Sequence, residues 1–346
     1  MPATDARVRP RLARMLRRRA RGAVVLLYHS VGDGDTDAQL LSVAPERFAE
    51  HLELIVAEGE PLALGDLALA AWSGADVSAR GVAVTFDDGY ADNLLAAKPL
   101  LERHGVPATV FVAAGLLGRT FWWDELERLL LQPGRLPRLV SLEIGDEELQ
   151  VDLGDDADYG AARAAGASGW TVLDRSDPGP RQRLYRLLAE RLRTLEHDER
   201  ERVIDRLRAV TTLDEPNAAA ARRPLTLAEL QRLPAHGLVD VGAHTVTHPV
   251  LAVLPPARQR EEIAGSKARL EEAFGHPVRA FSYPYGAAVT FDDATVALVR
   301  GAGFTHACAT MPHRVGAATD PYRIPRLVVR DWTGEELERR LSQLRA

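Results

Sequence analysis

The sequence is poor in cysteine and lysine: its 346 residues include one cysteine, Cys308, and two lysines, Lys98 and Lys267. A single cysteine excludes an internal disulfide and any zinc or iron–sulfur site that needs several thiolates. No apolar run approaches the roughly 18 residues of a membrane-spanning helix. The 43 basic residues against 49 acidic ones give a formal net charge of −6, which favours no nucleic-acid partner. We therefore expect a soluble globular protein.

The basic charge is concentrated at the start of the chain, where residues 1–22 contain eight arginines and a single acid, Asp5. Such a basic N-terminal arm either stays solvated or contacts an anionic membrane surface through its arginines. A secretory signal would need about 7 to 15 apolar residues after the arginines, whereas only the short stretch 23–28 follows them. The sequence therefore predicts a cytoplasmic protein.

Short, β-branched apolar runs alternate along the chain with segments of helical periodicity. This alternation predicts an α/β fold with a parallel sheet or barrel. The predicted strands are 23–28, 82–86, 108–113, 238–241, 280–283, 304–309 and 324–329. The predicted helices are 45–58, 93–104, 227–233, 256–274, 290–302 and a last helix from about residue 333.

The alternation breaks between residues 120 and 223. A helix-like segment at 123–131 is followed at 140–153 by alternating apolar residues around a Gly-Asp turn, which predicts a β-hairpin. Two charged helical patterns come next, and no chemical motif lies in this stretch. The predicted parts are a basic arm at 1–22, a barrel domain made of 23–119 and 224–340, and an α-rich insertion or lid subdomain at 120–223.

Two adjacent carboxylates, Asp87 and Asp88, follow a buried apolar strand and precede Gly89. Neighbouring acids at the end of a buried strand are costly unless a positive charge lies between or above them. A metal ion would supply that charge. A polar strand end that caps the next helix explains this segment equally well when it is taken alone.

Two histidines, His244 and His248, lie four residues apart directly after another predicted strand. On one helical turn this spacing aims both rings at one point, as two ligands of a divalent metal require. With one carboxylate they make a two-histidine, one-carboxylate site with open coordination positions, which suits zinc or ferrous iron. The combination favours a metal site over two isolated structural histidines.

A third segment runs from an apolar strand into the turn Pro284-Tyr285-Gly286. The three segments together resemble the polysaccharide deacetylase family (carbohydrate esterase family 4), whose motifs occur in the same order. The matching residues are Thr-Phe-Asp-Asp-Gly-Tyr at 85–90, His-Thr-Val-Thr-His-Pro at 244–249 and Phe-Ser-Tyr-Pro-Tyr-Gly at 281–286. Leu-Tyr-His-Ser-Val at 27–31 and Tyr-Arg-Ile-Pro-Arg at 322–326 are similar to the long-chain branch of that family.

The resemblance implies a distorted (β/α) barrel of about seven strands. It also implies a metal-dependent hydrolase that removes N-acetyl groups from an amino-sugar glycan or glycan precursor. Carried over by position, Asp87 is the catalytic base, and Asp88, His244 and His248 bind Zn²⁺ or another divalent ion. The backbone N–H of Tyr285 would help to stabilise the oxyanion. The implied partner is an N-acetylated sugar; the sequence does not indicate an oligomeric state.

Two positions depart from the pattern of that family. Many members have an arginine at the position of Ser282 that tethers the catalytic base, so Arg326 or Arg279 would have to take its place. The late Leu-x-His motif of the family, which supplies a general acid, has no clear match. His29 is the preferred candidate for the acid, and His306 is the second.

The same residues make amide hydrolysis coherent on chemical grounds. A zinc-type ion lowers the pKa of its bound water from about 15.7 toward 7 and polarises the carbonyl. Asp87, beside a metal ligand, would accept a proton from that attacking water. His29, Tyr285 and Arg326 are predicted, like the acids and the ligand histidines, at or just after the carboxyl end of a strand. Active sites of (β/α) barrels collect at this rim.

Three alternatives stay open. An amidohydrolase acting on another C–N bond, such as that of a cyclic ureide, would use a related barrel and metal site. A non-haem iron oxygenase has a metal triad of the same composition, although such sites usually lie on antiparallel double-sheet folds. A catalytically inactive glycan-binding homologue would account for the missing late histidine. Trp122 and Trp123 either stack on a sugar ring from the rim, whichever function holds, or anchor the insertion by packing.

Overall fold

The structure, a computed structural model, describes residues 22–34, 36–214 and 222–345. The basic arm predicted at 1–22 lies, apart from Gly22, outside the described residues. The strands in chain order are β1 (Val24–Tyr28), β2 (Ser30–Val31), β3 (Ser42–Val43), β4 (Glu60–Pro61), β5 (Gly81–Phe86), β6 (Ala108–Val112), β7 (Gly134–Arg135), β8 (Leu139–Ile144), β9 (Glu147–Asp152), β10 (Asp158–Tyr159), β11 (Thr212–Leu213), β12 (Val239–Ala243), β13 (Ala280–Ser282), β14 (His306–Cys308) and β15 (Leu327–Val328). The α-helices are α1 (Pro45–Glu58), α2 (Leu64–Ser73), α3 (Lys98–His104), α4 (Trp122–Leu131), α5 (Ala161–Ala167), α6 (Pro180–Leu192), α7 (His197–Val210), α8 (Leu227–Arg232), α9 (Pro256–Phe274), α10 (Asp293–Gly301) and α11 (Gly334–Arg345). None of the helices in these ranges is both long and apolar enough to cross a bilayer.

Seven parallel strands form one curled sheet in the order β14-β13-β12-β6-β5-β1-β15, and β4 also pairs with β5. The pairing of β1 with β5 begins with Val24 opposite Val82. Between the two ends of the sheet, a parallel bridge joins Cys308 of β14 to Ile324, shortly before β15. The fold is the distorted (β/α) barrel that the family resemblance predicted.

The strands β1, β5 and β6 are buried along their whole length. They are nearly continuous apolar runs rather than alternating ones, as is typical of parallel strands covered on both faces. All seven predicted strands are confirmed as members of the sheet, with ends that differ from the prediction by at most three residues. The short apolar runs in the sequence therefore predicted the positions of the barrel strands correctly.

One helix of the barrel, α2, was not predicted. It buries Leu64, Leu67, Ala68 and Ala71, which follow the i, i+3, i+4, i+7 pattern of an amphipathic helix. Two of these four positions are alanines, so the apolar stripe is less prominent in the sequence than that of a leucine-rich helix. The predicted helix 93–104 begins instead with a π-helical turn, Asn93–Ala97, that leads into α3.

A second hydrophobic cluster lies in the predicted insertion. Helices α4, α6 and α7 contribute Leu126, Leu188 and Leu207, which are inaccessible to solvent. The predicted hairpin is confirmed as the antiparallel pair β8 and β9, which adds Val140 to the cluster. Tyr90 of the barrel belongs to the same cluster, so the insertion packs directly on the barrel. The domain boundaries themselves stay a prediction.

Candidate active site

Most of the predicted site residues lie just beyond the carboxyl ends of strands in the parallel sheet. They are His29 after β1, Asp87 and Asp88 after β5, His244 after β12 and Tyr285 after β13. Arg326 differs, because it directly precedes β15 rather than following a strand. Its side chain nevertheless reaches the same end of the barrel, as its contacts with Asp87 show.

A buried arginine clamps Asp87. Nη1 and Nη2 of Arg326 donate to the two carboxylate oxygens of Asp87, each over 2.7 Å. The hydroxyl of Ser282 donates to Asp87 Oδ2 over 3.2 Å and accepts from Arg326 Nη2 over 2.8 Å. Of the two arginines considered for this tether, Arg326 makes the bidentate contact, whereas Arg279 is exposed.

Asp88, His244 and His248 converge on one point. Asp88 Oδ1 lies 3.5 Å from His244 Nε2 and 3.3 Å from His248 Nε2. One ligand atom from each residue lies within 4.8 Å of the other two, and all three side chains are buried. His244 Nδ1 donates to the carbonyl oxygen of Ser282 over 2.8 Å. In the neutral ring this leaves Nε2 without a proton on the side that faces Asp88.

The two histidines are carried by a loop and not by the helical turn that their spacing suggested, so that interpretation was wrong. The loop contains no helix, and Thr245 and His248 have φ angles of 64° and 56°. The Thr245 hydroxyl accepts from the backbone N–H of His248 over 3.0 Å. Glu262 of α9 accepts from the backbone N–H groups of Val246 and Thr247 over 2.8 Å each. The rings still meet, with centroids 4.9 Å apart.

Three residues of the site have left-handed backbone conformations. The φ angles are 72° for Asp88, 56° for His248 and 62° for Tyr285. This region is unfavourable for residues with a Cβ, at about 1 to 2 kcal/mol per residue. The surrounding fold must therefore hold the backbone in place here.

The two neighbouring acids have pKa values that are shifted in opposite directions. Burial is the largest influence on Asp87 and opposes its ionisation, but the charge and hydrogen bonds of Arg326, together with smaller contributions from His244 and His29, hold the pKa of Asp87 below its ordinary value. For Asp88, burial first and the charge of Asp87 second raise the pKa well above its ordinary value. Burial lowers the pKa of His244 and of His248, so both rings are neutral, as metal ligands must be. Asp87 has a cationic partner, whereas Asp88 lies against neutral rings.

This donor set fits a divalent cation. Asp88 Oδ1 and His248 Nδ1 are buried, and neither has a hydrogen-bond partner among the described residues. A cation held by Asp88 and the two histidines would supply the positive charge that a buried carboxylate requires. One carboxylate and two imidazoles suit zinc or ferrous iron and leave coordination positions open.

His29, the preferred candidate for the general acid, lines the cleft above this centre. Burial lowers the pKa of His29 to about 4, so the ring is neutral near pH 7. A neutral ring would have to take up a proton during the reaction before it could donate one. His306, the second candidate, lies at the start of β14 and is not among the residues that line this cleft. The role of His29 stays a prediction.

A cleft of about 450 Å³ lies over the site. One wall is formed by the predicted insertion, which contributes Arg186 and Arg193, and another part of the wall is formed by Arg330. Sequence reasoning missed these arginines because they belong to no motif. Only their tertiary contacts bring them to the carboxyl end of the sheet.

The two adjacent tryptophans are nearly buried, and both line the cleft. The Trp123 ring lies 4.9 Å from the His248 ring, centroid to centroid. Its Nε1 donates to the Tyr90 hydroxyl over 2.7 Å, and that hydroxyl donates to Asp124 over 2.9 Å. For Trp123 this arrangement favours an anchoring role over stacking on a sugar.

Comparison with known proteins relates two segments of the chain to a family. The sequence profile described as polysaccharide deacetylase matches residues 74–133 and 208–307, which include Asp87, Asp88, His244, His248 and Tyr285. These two segments are therefore similar to the polysaccharide deacetylase family. The match is interrupted across most of the predicted insertion. Assignment to the long-chain branch stays a prediction.

A protein similar in sequence is YxkH of Bacillus subtilis (strain 168), described as "Putative polysaccharide deacetylase". It is 32% identical over 95 residues, which are 27% of this chain and 33% of the relative. The chain therefore matches about one third of the length of this relative.

Two solved structures share the fold. The Streptococcus pyogenes deacetylase PplD, in complex with acetate, is 18% identical with a TM-score of 0.57, over 92% of this chain and 98% of PplD. IcaB from Ammonifex degensii is 19% identical with a TM-score of 0.56, over 94% of this chain and 98% of IcaB. At these identities the likeness concerns the fold. The predicted hydrolase class agrees with the family.

Proposed function

We propose that the protein is a metal-dependent hydrolase that removes N-acetyl groups from an amino-sugar glycan or glycan precursor. The single observation that carries the proposal is that a candidate base and a candidate metal site lie side by side in one cleft. An ionised carboxylate, Asp87, lies beside a triad of Asp88, His244 and His248 that has the composition of a zinc site. The match of two segments to the polysaccharide deacetylase profile supports the choice of bond and substrate.

The triad would hold the cation, and its ligand types suit Zn²⁺. When bound there, a divalent cation supplies Lewis-acid polarisation of the amide carbonyl and acidification of water. Asp88 gives the negative charge of the ligand set, while His244 is oriented by its bond to the Ser282 carbonyl. His248 is packed against Trp123, which fixes the plane of its ring.

Asp87 would accept the proton of the attacking water. Its low pKa makes it a weak base, so it can act only on a water that has been made acidic. Arg326 keeps the carboxylate ionised and fixes both of its oxygens. Asp87 Oδ2 lies 3.8 Å from His244 Nε2, which places the base beside the ligand set.

Tyr285 would stabilise the oxyanion through its backbone N–H. Its ring lies 4.8 Å from the His248 ring, and its left-handed backbone turns the chain sharply at the tip of the strand. His29 would return a proton to the leaving amine, after first gaining it within the cleft. A cytoplasmic location and contact of the basic arm with an anionic membrane belong to the same proposal.

The test combines metal analysis with acetate release. Purified protein is expected to contain a stoichiometric divalent metal and to release acetate from N-acetylglucosamine oligomers but nothing from small cyclic ureides. Asp87→Asn should retain the metal and lose about 10²- to 10⁴-fold in turnover, because the base is removed. His248→Ala should lose the metal as well.

The matched control is Asp146→Asn, an exposed carboxylate in the turn between β8 and β9. It should leave metal content and turnover unchanged. Near-normal turnover in Asp87→Asn would refute the assignment of the base. Stoichiometric metal without acetate release from any N-acetylated sugar would favour the inactive glycan-binding alternative.

A further inference from the structure

The wall of the cleft that faces the site is formed largely by one face of helix α6 and the residue that follows it. Arg186, Ala189, Glu190 and Arg193 have the i, i+3, i+4, i+7 spacing that places side chains on one helix face, and all four line the cleft. The predicted insertion therefore contributes a charged surface directly opposite the catalytic groups.

Arg193 lies over Tyr285, next to the candidate metal site. Its guanidinium carbon lies 5.5 Å from the centre of the Tyr285 ring, and that ring neighbours His248. Within the described residues, Arg193 makes no side-chain hydrogen bond and no ion pair, and its side chain is exposed. A charged, planar donor group is therefore available above the point where the substrate would react.

Arg330 presents a second cation to the same cleft. Its hydrogen bonds to described residues use only Nη1, which donates to the backbone carbonyls of Gln39 and Leu40. No described carboxylate lies within ion-pair distance of its guanidinium group. Its Nε and Nη2 atoms have no hydrogen-bond partner among the described residues. The side chain is half-buried and lines the cleft.

Arg186 lies in the same wall, but its guanidinium group is bound by other groups of the protein. Its Nε and Nη2 donate to Asp177 Oδ1 over 3.0 and 2.8 Å, and the group also donates to the carbonyls of Val172 and Asp174. Among the described residues, neither Arg193 nor Arg330 forms an ion pair with a carboxylate. The contrast separates a structural arginine from two arginines that have no such ion pair.

The acids of the cleft do not balance these two cations. Asp87 is already paired with Arg326, and Asp88 faces the ligand histidines. This leaves Glu190 alone on the wall, against Arg193 and Arg330. Guanidinium groups match the two oxygens of a carboxylate or phosphate, which makes an anion the natural partner of this wall.

We propose that Arg193 and Arg330 form a subsite for an anionic group of the substrate, a carboxylate or a phosphate, adjacent to the N-acetyl group that is removed. The inference rests on the proposed deacetylase function and narrows its substrate to an acidic sugar or sugar derivative. A neutral amino sugar would leave both guanidinium groups of the wall without an anionic partner. The anionic group would also orient the sugar, since it fixes one end while the reacting amide lies over Asp87 and Tyr285.

The experiment measures binding and acetate release separately, with three probes. N-Acetylglucosamine 1-phosphate carries a phosphate, N-acetylmuramic acid carries a carboxylate, and N-acetylglucosamine is neutral. The metal-loaded wild-type protein should bind at least one charged probe about tenfold or more tightly than the neutral one, as measured by calorimetry. Which charged probe binds more tightly identifies the source of the anion.

The variants are Arg193→Gln and Arg330→Gln, with Arg183→Gln as the matched control. Arg183 lies on the same helix, is exposed, and is not among the residues that line the cleft. The first two variants should bind charged and neutral probes within about twofold of each other, whereas the control should keep the preference of the wild type. The preference should also shrink in 0.5 M salt, because exposed charges are screened.

Equal binding of charged and neutral probes by the wild type would overturn the subsite, as would a preference that Arg193→Gln and Arg330→Gln both retain. A different result would refute the hydrolase proposal but not the subsite. The charged probe would still bind preferentially through the two arginines, but no acetate would be released from any probe. Conversely, acetate release at equal efficiency from charged and neutral probes would support the enzyme and refute the anionic subsite.

Discussion

Burial alone sets the protonation of His306, at the start of β14. The ring is 5% exposed, its Nδ1 lies 2.9 Å from the Thr305 hydroxyl, and its Nε2 has no partner among the described residues. Burial lowers the pKa of His306 to about 4, from an ordinary value near 6.5. The folded protein therefore binds this proton only below about pH 4, while the unfolded chain binds it below about pH 6.5.

This difference predicts a loss of stability on acidification. As pH falls from 6.5 to 4 the unfolded chain gains a proton that the native state cannot take, so the free energy of unfolding decreases by roughly 2 to 3 kcal/mol through His306. His306→Leu should remove this part of the slope. Urea unfolding at pH 8, 6 and 4.5 measures it. His313→Leu, at an exposed position, is the control and should retain the wild-type slope.

Some residues of the site can be predicted from the sequence, whereas others cannot. Asp87 and Asp88 are adjacent, and His244 and His248 are four residues apart, so local sequence carries the signal. Arg193 carries no such signal, because its place above Tyr285 depends on how the insertion packs on the barrel. Motifs therefore predict the groups that we propose to react, while the groups that we propose to bind the anion of the substrate appear only in three dimensions.

At the scale of elements, the loop that carries the two histidines is held by helix α9. Glu262 accepts from two backbone N–H groups of the loop and from the Thr247 hydroxyl, the last over 2.7 Å. The sequence predicted α9 at its correct bounds but gave no reason to connect it to the histidines. The spacing of His244 and His248 suggested a helical turn because it does not reveal the left-handed residues that bend the loop.

Removal of Glu262 should weaken metal binding although it is not a ligand. In Glu262→Ala the loop loses three hydrogen bonds, and His248 loses its fixed position. Zinc affinity, measured by competition with a chelator, should fall about 10- to 100-fold, as is typical when a residue that orients a ligand is removed. Glu272→Ala, an exposed position on the same helix, should bind zinc like the wild type. Unchanged affinity in Glu262→Ala would mean that the loop is held by other contacts.

At the scale of the whole molecule, one buried arginine joins the barrel to the insertion. Arg222 donates to Asp124 over 3.0 Å and to Glu127 over 3.0 Å, both on α4, and to Asp37 of the barrel over 2.6 Å. Burial disfavours its charge, but the surrounding carboxylates outweigh burial and raise the pKa of Arg222. The sequence predicts an insertion at 120–223 but does not predict this connection, which joins residues far apart in the chain.

Loss of Arg222 should destabilise the whole protein. Arg222→Gln leaves buried carboxylates without their cation, which costs about 3 to 5 kcal/mol in the free energy of unfolding. The next residue provides the control: Arg223 pairs with Glu229 at the surface, so Arg223→Gln should cost about 1 kcal/mol or less. Urea unfolding followed by tryptophan fluorescence and by circular dichroism measures both effects. Equal losses in the two variants would show that the buried cluster does not join the two parts.

The left-handed conformations of Asp88 and His248 set stability and the proposed catalysis against each other in any laboratory evolution of this protein. Glycine relieves the backbone at both positions, so selection for heat resistance alone should enrich glycine there and discard the side chains that the proposed reaction needs. Only a screen that also demands product formation would retain both side chains. If these side chains disappear from a heat-selected library, they are not needed for folding and are retained for the proposed chemistry.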